Sequence, residues 1–331
     1  MASPNAHAVV RDHRFAIVVG IDAYPGYRDL SGACNDAEAF AEWVTDGAGG
    51  AVPQENVRVH LGRRATDVWS ARPIKRDIDF SLHQFLQAVR HGAIPARLYL
   101  YFAGHGVAAA LGTATVLMAD AAPGMSWNLS LDLYRSWLLR CRDFTEVALF
   151  SDCCRTITLE IPEGPPPFDT CAEPYPYPQR AFVALAADLG RPAFETRDAR
   201  GQFTSLLLEG LRGGAADPLT GEVRADGLAG FLDALAERSD PPQRAETAVL
   251  GEPLHFATVP LTAFTVQLEL GAGPTRAVHV LGAGGDVVAS ADRPAGPWSV
   301  ELARGLYELD DPVAGAAVLF KVDGPDVVVG T

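Results

Sequence analysis

The stretch Glu146-Val-Ala-Leu-Phe-Ser-Asp-Cys-Cys-Arg-Thr156 joins an apolar run to a group of reactive side chains. The apolar part predicts a β-strand, which leads to an aspartate and two adjacent cysteines. A second apolar run, Leu98-Tyr-Leu-Tyr-Phe-Ala-Gly-His-Gly106, ends in a histidine between two glycines. Open α/β sheets gather their ligands at the carboxyl ends of their strands, so the two runs would deliver a thiol and an imidazole to one rim. Such a pair forms a cysteine nucleophile with its base.

Apolar strands and amphipathic helices alternate along the chain on both sides of these runs. After the first strand, Asn35 or Asp36 is expected to cap a helix whose apolar residues recur at helical spacing. This alternation predicts the α/β class, with a mostly parallel sheet flanked by helices. The predicted strands are 14–22, 57–61, 98–102, 115–118, 147–150 and 181–186, and the predicted helices are 37–44, 74–89, 129–138, 204–211 and 228–235.

The composition changes twice after the cysteines, and these changes indicate the domain organisation. Residues 161–178 contain seven prolines, which exclude a helix or a central strand. They predict a long loop within 157–180, of a length that is usually functional or mobile. From residue 258 onward, short alternating runs are separated by glycine or proline turns, which is typical of a small β-sandwich. The predicted domains are therefore 1–257 and 258–331.

Composition excludes several classes of function. The net charge is −14, from 41 acidic and 27 basic residues, and such a surface repels nucleic acid. No run approaches the ~18 apolar residues of a membrane span, and the first residues lack a secretory signal. Five cysteines, odd in number and without a CxxC pair, favour a reducing cytoplasm and no structural zinc site. We therefore expect a cytoplasmic protein with no nucleic-acid or membrane partner and no cofactor or metal.

Four motifs in order resemble the caspase-like cysteine peptidases, in particular the metacaspases and prokaryotic caspases of peptidase family C14. They are Ile17-Val-Val-Gly-Ile-Asp-Ala-Tyr24, Leu30-Ser-Gly-Ala-Cys-Asn-Asp-Ala37, Tyr101-Phe-Ala-Gly-His-Gly106 and Asp152-Cys-Cys154. The resemblance covers about residues 14–257, and includes Gly201-Gln-Phe-Thr-Ser-Leu-Leu207, which is similar to a late helix start in that family.

The resemblance implies a catalytic dyad of His105 and Cys154. Their separation of 49 residues (154 − 105) is close to the ~50 residues between the corresponding pair in caspases. The backbone N–H groups of Gly106 and of the nucleophile are candidates for stabilising the oxyanion. Calcium assists some metacaspases through acidic clusters elsewhere, but it is not predicted here.

Substrate preference and regulation also follow from the resemblance. In metacaspases, aspartates at the positions of Asp36 and Asp152 line the pocket for the residue before the cleaved bond. Two carboxylates there would bind arginine, or less favourably lysine. Such enzymes commonly carry a cleavable linker after the cysteine strand, so we expect a zymogen that is activated by cleavage near Arg180, by itself or by an upstream protease. The expected partners are a protein substrate and an upstream activating protease or an inhibitor, in a prokaryotic defence or stress pathway.

Alternatives remain open at the end of the cysteine strand. Metacaspases continue with His-Ser-Gly after the cysteine, whereas this chain continues with Arg155-Thr-Ile157. This departure leaves Cys153 as an alternative nucleophile, and it also leaves open a catalytically degenerate scaffold that acts as a binding module. A general α/β hydrolase or a nucleotide-binding protein has less support, because the chain lacks a Gly-x-Ser-x-Gly motif and a phosphate loop.

Overall fold

A computed structural model describes most of the chain, which forms two compact units. The first unit comprises Met1–Leu206 and Ala236–Leu254, and the second comprises Leu207–Leu235 and His255–Thr331. The domain boundary predicted at residue 257 stays a prediction. The described residues are 13–92, 95–108, 114–141, 143–153, 156–157, 162–169, 179–186, 201–236, 243–271, 275–282, 285–293, 296–312, 315–322, 324 and 327–330.

Nineteen strands and five α-helices lie in the described segments. The strands are β1 (Arg14–Ile21), β2 (Val57–Gly62), β3 (Arg97–Gly104), β4 (Gly106–Ala108), β5 (Thr115–Leu117), β6 (Asn128–Ser130), β7 (Glu146–Cys153), β8 (Thr156–Ile157), β9 (Arg180–Leu185), β10 (Glu222–Arg224), β11 (Glu246–Leu250), β12 (His255–Thr258), β13 (Ala263–Leu270), β14 (Arg276–Gly282), β15 (Val287–Arg293), β16 (Gly296–Ala303), β17 (Gly305–Asp311), β18 (Ala316–Val322) and β19 (Val328–Gly330). The helices are α1 (Ala33–Thr45), α2 (Lys75–Gly92), α3 (Leu131–Cys141), α4 (Gln202–Glu209) and α5 (Ala225–Ala236).

A six-stranded sheet in the order β11-β9-β7-β3-β1-β2 forms the centre of the first unit. All of its strands are parallel except β11, which pairs antiparallel with β9. Every residue of β1, β3 and β7 is buried, as continuous apolar strands covered on both faces should be. The predicted α/β sheet is therefore confirmed. Among the described helices, none is long and apolar enough to cross a bilayer.

Helices cover both faces of this sheet. On one face, Phe40 of α1 stacks on Tyr101 of β3, with ring centroids 4.5 Å apart. On the other face, α2 and α3 contribute Phe85 and Trp137 to a single apolar core with the remaining strand residues. Because side chains alternate along a strand, the two faces receive different residues of β7: Phe150 contacts Phe40, whereas Leu149 lies in the core beneath α2 and α3.

Buried charged side chains join β7, β3 and β9 at the amino ends of these strands, opposite the strand ends that precede His105 and Cys154. Glu146 of β7 is 1% exposed and pairs with Arg97 of β3 across 2.5 Å. Its second oxygen pairs with Arg180, the first residue of β9. The Arg180 N–H also donates to the carbonyl oxygen of Thr145 over 2.8 Å. Two guanidinium groups thus compensate the buried carboxylate, and removing one partner of such a pair is costly.

A β-sandwich forms the C-terminal part of the second unit, which confirms the predicted all-β region. Strands β16-β13-β19 form one sheet and β15-β14-β17-β18 the other. Side chains from both sheets share one core, including Val266 and Trp298 from the first and Val280 and Tyr307 from the second. Buried residues alternate with more exposed ones along β13 and most of β14, which is the pattern that the short runs predict.

Several element boundaries differ from the predictions. The helix predicted at 129–138 begins only at Leu131, because Leu129 belongs to β6. The strand predicted at 147–150 continues to Cys153, because backbone partners on β3 and β9 extend it past the apolar run. The edge strand β11 was not predicted, since four of its five residues are exposed and leave no apolar pattern.

Candidate active site

The reactive rim lies where β3 and β7 end side by side. In their parallel pairing, Ala103 is opposite Asp152 and Gly104 is opposite Cys153. Pairing resumes beyond the rim between β4 and β8, where Val107 is opposite Thr156. The offset is the same on both sides of the rim, since 153 − 104 and 156 − 107 both equal 49.

His105 follows the last residue of β3, and two neighbouring segments hold it. Its ring nitrogen Nε2 lies 2.6 Å from the carbonyl oxygen of Arg28. A carbonyl oxygen can only accept a hydrogen bond, so Nε2 carries the proton of the neutral imidazole. Nδ1 is then the nitrogen with a lone pair, and it is the atom that can accept a proton from a thiol. The loop after β1 therefore determines the tautomer of His105.

Tyr24 holds the backbone of His105. Its hydroxyl accepts the His105 N–H over 2.9 Å and donates to the carbonyl oxygen of Leu117 over 3.3 Å. Burial raises the pKa of this hydroxyl well above its ordinary value, so it stays protonated. The centroids of the Tyr24 and His105 rings are 4.6 Å apart. A Cβ on Gly104, whose φ is +156°, would lie 2.4 Å from the Tyr24 hydroxyl, so this contact needs a glycine before the histidine.

The cysteines of the chain differ sharply in their surroundings. Cys153 is 4% exposed and its sulfur lies in the apolar core, 3.8 Å from the carbonyl oxygen of Phe102. Cys34 is fully buried beside Asp22, and burial raises the pKa of its thiol to about 12. Cys141 is also buried. Cys154, the predicted nucleophile, lies outside the described residues, as do Arg155 and Cys171.

Asp36 and Asp152 meet at the start of α4. Asp36 is 3% exposed and its Oδ2 accepts the Gly201 N–H over 2.7 Å. Asp152 is 8% exposed, and its Oδ2 accepts both the N–H of Thr204, over 3.1 Å, and its hydroxyl, over 2.6 Å. A Cβ built on Gly201 would lie 1.9 Å from the Asp152 Oδ2 and 2.9 Å from the Asp36 Oδ2. Both oxygens are within 3 Å of one point, and hence within 6 Å of each other.

This geometry corrects the prediction that Asn35 or Asp36 caps α1. The helix begins at Ala33 after its N-cap residue Gly32, and its first-turn N–H of Cys34 donates to Oδ1 of Asp22 over 3.1 Å. Asp36 lies in the first turn, where its carboxylate is directed to Gly201. Asparagine and aspartate are common helix caps, but the Asp36 side chain accepts a hydrogen bond from a distant segment instead.

Two other predicted site residues have defined positions. Gly106 is the first residue of β4 and pairs antiparallel with Val116 of β5. Its role as a donor to the oxyanion stays a prediction. Arg180 is bound in β9 through its ion pair with Glu146, and its role as a cleavage site also stays a prediction. Within the described ranges, no three His, Cys, Asp or Glu side chains are grouped so that they could hold a metal ion.

Four groups at the rim were not identified from the sequence. The carbonyl of Arg28 leaves no sequence signal, because every residue carries one. Tyr24 is the last residue of the motif 17–24, but the hydrogen bond from the His105 N–H to its hydroxyl depends on the tertiary fold. Gly201 and Thr204 were recognised as a helix start, and their contacts with Asp36 and Asp152 span 165 and 52 residues of sequence.

Comparisons with known proteins identify the family of this chain. The family model of the caspase domain, peptidase C14, matches residues 13–225. A curated protein named as a probable protease, from a Desulfuromonadales bacterium, is 30% identical over 271 residues, which are 72% of this chain. The chain spans only 32% of that relative's length.

Two solved structures also match, at low sequence identity. Caspase-1 from Spodoptera frugiperda is 12% identical with a TM-score of 0.48, and the match covers 76% of this chain and 92% of that one. A protein from Geobacter sulfurreducens is 16% identical with a TM-score of 0.44, and the match covers 73% and 94%. Because the family model matches more than half of its length, this chain belongs to the caspase-domain family of peptidases.

Proposed function

We propose that this chain is a cysteine endopeptidase that uses His105 and Cys154 and cleaves proteins after arginine or, less readily, lysine. The observation that carries the proposal is the pairing of β3 with β7 up to Gly104 and Cys153, because His105 and Cys154 are the next residues of the sequence after these two adjacent strand ends. The burial of Cys153 in the core supports Cys154 over its neighbour as the nucleophile.

The proposed mechanism uses the tautomer that the Arg28 carbonyl favours. Nδ1 of His105 accepts the proton of the Cys154 thiol, and the sulfur attacks the carbonyl carbon of the substrate. The N–H groups of Gly106 and Cys154 are the proposed donors to the oxyanion. The imidazolium then gives its proton to the departing amine, which leaves an acyl-enzyme thioester. Water hydrolyses the thioester, with His105 as its base.

Specificity for a basic residue rests on Asp36 and Asp152. Two carboxylates within 6 Å of each other and largely shielded from water attract a guanidinium or ammonium group strongly. The overall charge of −14 also favours a basic substrate segment.

A panel of fluorogenic peptides that differ only in the residue before the cleaved bond tests this proposal. We expect cleavage after arginine to exceed cleavage after lysine, and cleavage after aspartate or leucine to be lower by about 10²-fold or more, because a lost buried charge pair costs several kcal/mol. Preferential cleavage after aspartate would overturn the specificity. No cleavage of any peptide, including by protein treated with an activating protease, would instead favour the binding scaffold.

Regulation as a zymogen, by cleavage within 155–200, rests on the resemblance. If the cut follows Arg180, the first residue of β9 must leave both Glu146 and the Thr145 carbonyl before a protease can hold it. Cleavage by this enzyme or by an upstream protease fits equally. The proposed cytoplasmic location and the setting in prokaryotic defence or stress rest on the sequence and the resemblance alone.

Tyr24→Phe tests the support of His105. The change keeps the ring and removes the hydroxyl, so the His105 N–H loses its acceptor at a cost of about 1–3 kcal/mol. We expect kcat for the arginine peptide to fall by about tenfold while KM changes little, because the specificity pocket is untouched. Tyr134→Phe, which removes a hydroxyl bonded to Asp79 and leaves every residue of the proposed site unchanged, is the control. An unchanged kcat in Tyr24→Phe would show that the hydroxyl does not support the histidine.

A further inference from the structure

We propose that Thr204 is a positioning residue that fixes the Asp152 carboxylate, and that it thereby makes the enzyme prefer arginine over lysine. This inference rests on the proposed function, in which Asp36 and Asp152 receive the basic side chain of the substrate. The late helix start therefore has a role of its own: Gly201, just before α4, donates a hydrogen bond to Asp36, and Thr204 in the first turn of α4 donates to Asp152.

The direction of the hydrogen bonds at Thr204 follows from the groups involved. An ionised carboxylate accepts only, so the Thr204 hydroxyl donates its proton to Oδ2 of Asp152 across 2.6 Å. The Thr204 oxygen then accepts from the hydroxyl of Tyr101, which is also 2.6 Å away. Burial, reinforced by the charges of Asp152 and Asp36, raises the pKa of Tyr101 well above its ordinary value, so that it remains a donor. The chain of donors runs from Tyr101 through Thr204 to Asp152.

This arrangement holds one oxygen of Asp152 with three elements of the fold. Tyr101 lies on β3 and is itself fixed by stacking on Phe40 of α1, while the Thr204 N–H belongs to the start of α4. With Oδ2 held by two donors from one residue, rotation of the Asp152 carboxylate is restricted. The plane of the carboxylate is therefore set before a substrate arrives.

Gly201 keeps the two carboxylates at their separation. Its N–H bonds to Asp36, and its Cα faces Asp152 so closely that an added methyl group would lie 1.9 Å from Oδ2. Contacts of this length do not occur, so any side chain here would displace Asp152 or the start of α4. The pair Gly201 and Thr204 thus defines both the spacing and the orientation of the carboxylates.

Orientation matters more for arginine than for lysine. A guanidinium is a planar fork whose bidentate bond to a carboxylate requires a defined plane, whereas an ammonium is a point charge that tolerates a rotated carboxylate. Loosening Asp152 should therefore weaken the binding of arginine substrates more than that of lysine substrates. A merely structural role for Thr204 would lower both activities equally.

The experiment compares Thr204→Val and Thr204→Ser in the full chain with matched arginine and lysine peptides. For Thr204→Val, which loses the hydroxyl at nearly equal volume, we expect kcat/KM for arginine to fall about tenfold, mostly through KM, and kcat/KM for lysine about twofold. The ratio of arginine to lysine cleavage should thus fall about fivefold. Thr204→Ser keeps the hydroxyl and should restore the ratio of the parent enzyme.

Thr145→Val is the matched control, since it removes a buried threonine hydroxyl at the opposite end of β7. We expect it to leave the arginine-to-lysine ratio unchanged. An unchanged ratio in Thr204→Val, with parent activity that does prefer arginine, would overturn this inference and leave the proposed function intact. A parent enzyme without any preference for basic residues would overturn both. Calorimetry of peptide binding repeats the comparison without turnover, with Cys154→Ala as the parent and Cys154→Ala combined with Thr204→Val as the variant. The ratio of arginine to lysine affinity should again fall about fivefold.

Discussion

Cys154→Ala is expected to lower peptide cleavage by at least ~10⁴-fold, because it removes the sulfur that forms the proposed acyl-enzyme thioester. Steady-state hydrolysis of the arginine peptide measures this loss. His105→Ala should cause a loss of similar size, since the thiol then lacks its base. The double variant should be no worse than either single variant, because residues that act as one unit are not additive.

Cys153→Ala is the control for this prediction, as it changes the adjacent cysteine and leaves the predicted nucleophile. Its sulfur lies in the apolar core, so we expect a small loss of stability and activity within a few-fold of the parent enzyme. The opposite result, in which Cys153→Ala is inactive but folded and Cys154→Ala is active, would assign the nucleophile to Cys153. A folded Cys154→Ala protein is verified by an unchanged far-UV spectrum and melting temperature.

Asp152→Asn and Asp36→Asn are expected to lower kcat/KM for the arginine peptide by roughly 10²-fold each, which corresponds to about 2.7 kcal/mol. The substitutions keep the shape and the ability to accept hydrogen bonds, so the Gly201 and Thr204 donors retain partners. What is lost is the negative charge that the guanidinium meets. The loss should appear for arginine and lysine alike, in contrast to that of Thr204→Val.

A peptide with citrulline in place of arginine separates the charge from other effects. Citrulline is neutral and nearly isosteric, so the parent enzyme should cleave it poorly and the Asp152→Asn variant should no longer distinguish it strongly from arginine. Asp132→Asn is the matched control, because Asp132 also accepts a backbone N–H, from Ala114, but lies on α3. If Asp36→Asn and Asp152→Asn both cleave the arginine peptide at the parent rate, the two carboxylates are not the specificity pocket.

Local patterns in the sequence predicted five of the six strands of the central sheet. Apolar runs such as 14–22 and 98–102 are buried on both faces, and that burial dictates their composition directly. The helix predicted at 74–89 is α2, Lys75–Gly92, because helical periodicity persists over several turns. The edge strand β11 was not predicted, because four of its five residues are exposed and an exposed strand needs no particular composition.

Some residues of the candidate site could likewise be predicted from the sequence, and others could not. His105, Asp36 and Asp152 could be proposed because their neighbours form ordered motifs that resemble a family, and their side chains carry recognisable chemistry. The roles of Arg28 and Thr204 could not, because one acts through its backbone carbonyl and the other through a hydroxyl that is common in helix starts. Neither feature has a signature that a sequence displays.

The amino-acid order alone thus predicts most of the strands and helices, and it supplies the histidine, the cysteines and the carboxylates of the proposed site. Only the tertiary structure decides which of them meet. The register of β3 against β7 places Gly104 opposite Cys153, and Gly201, just before α4, donates to Asp36 across 165 residues of sequence. The physical reason is the range of the interactions: periodicity and burial act over a few neighbouring residues, whereas a site is made by contacts that form only when distant segments pack together.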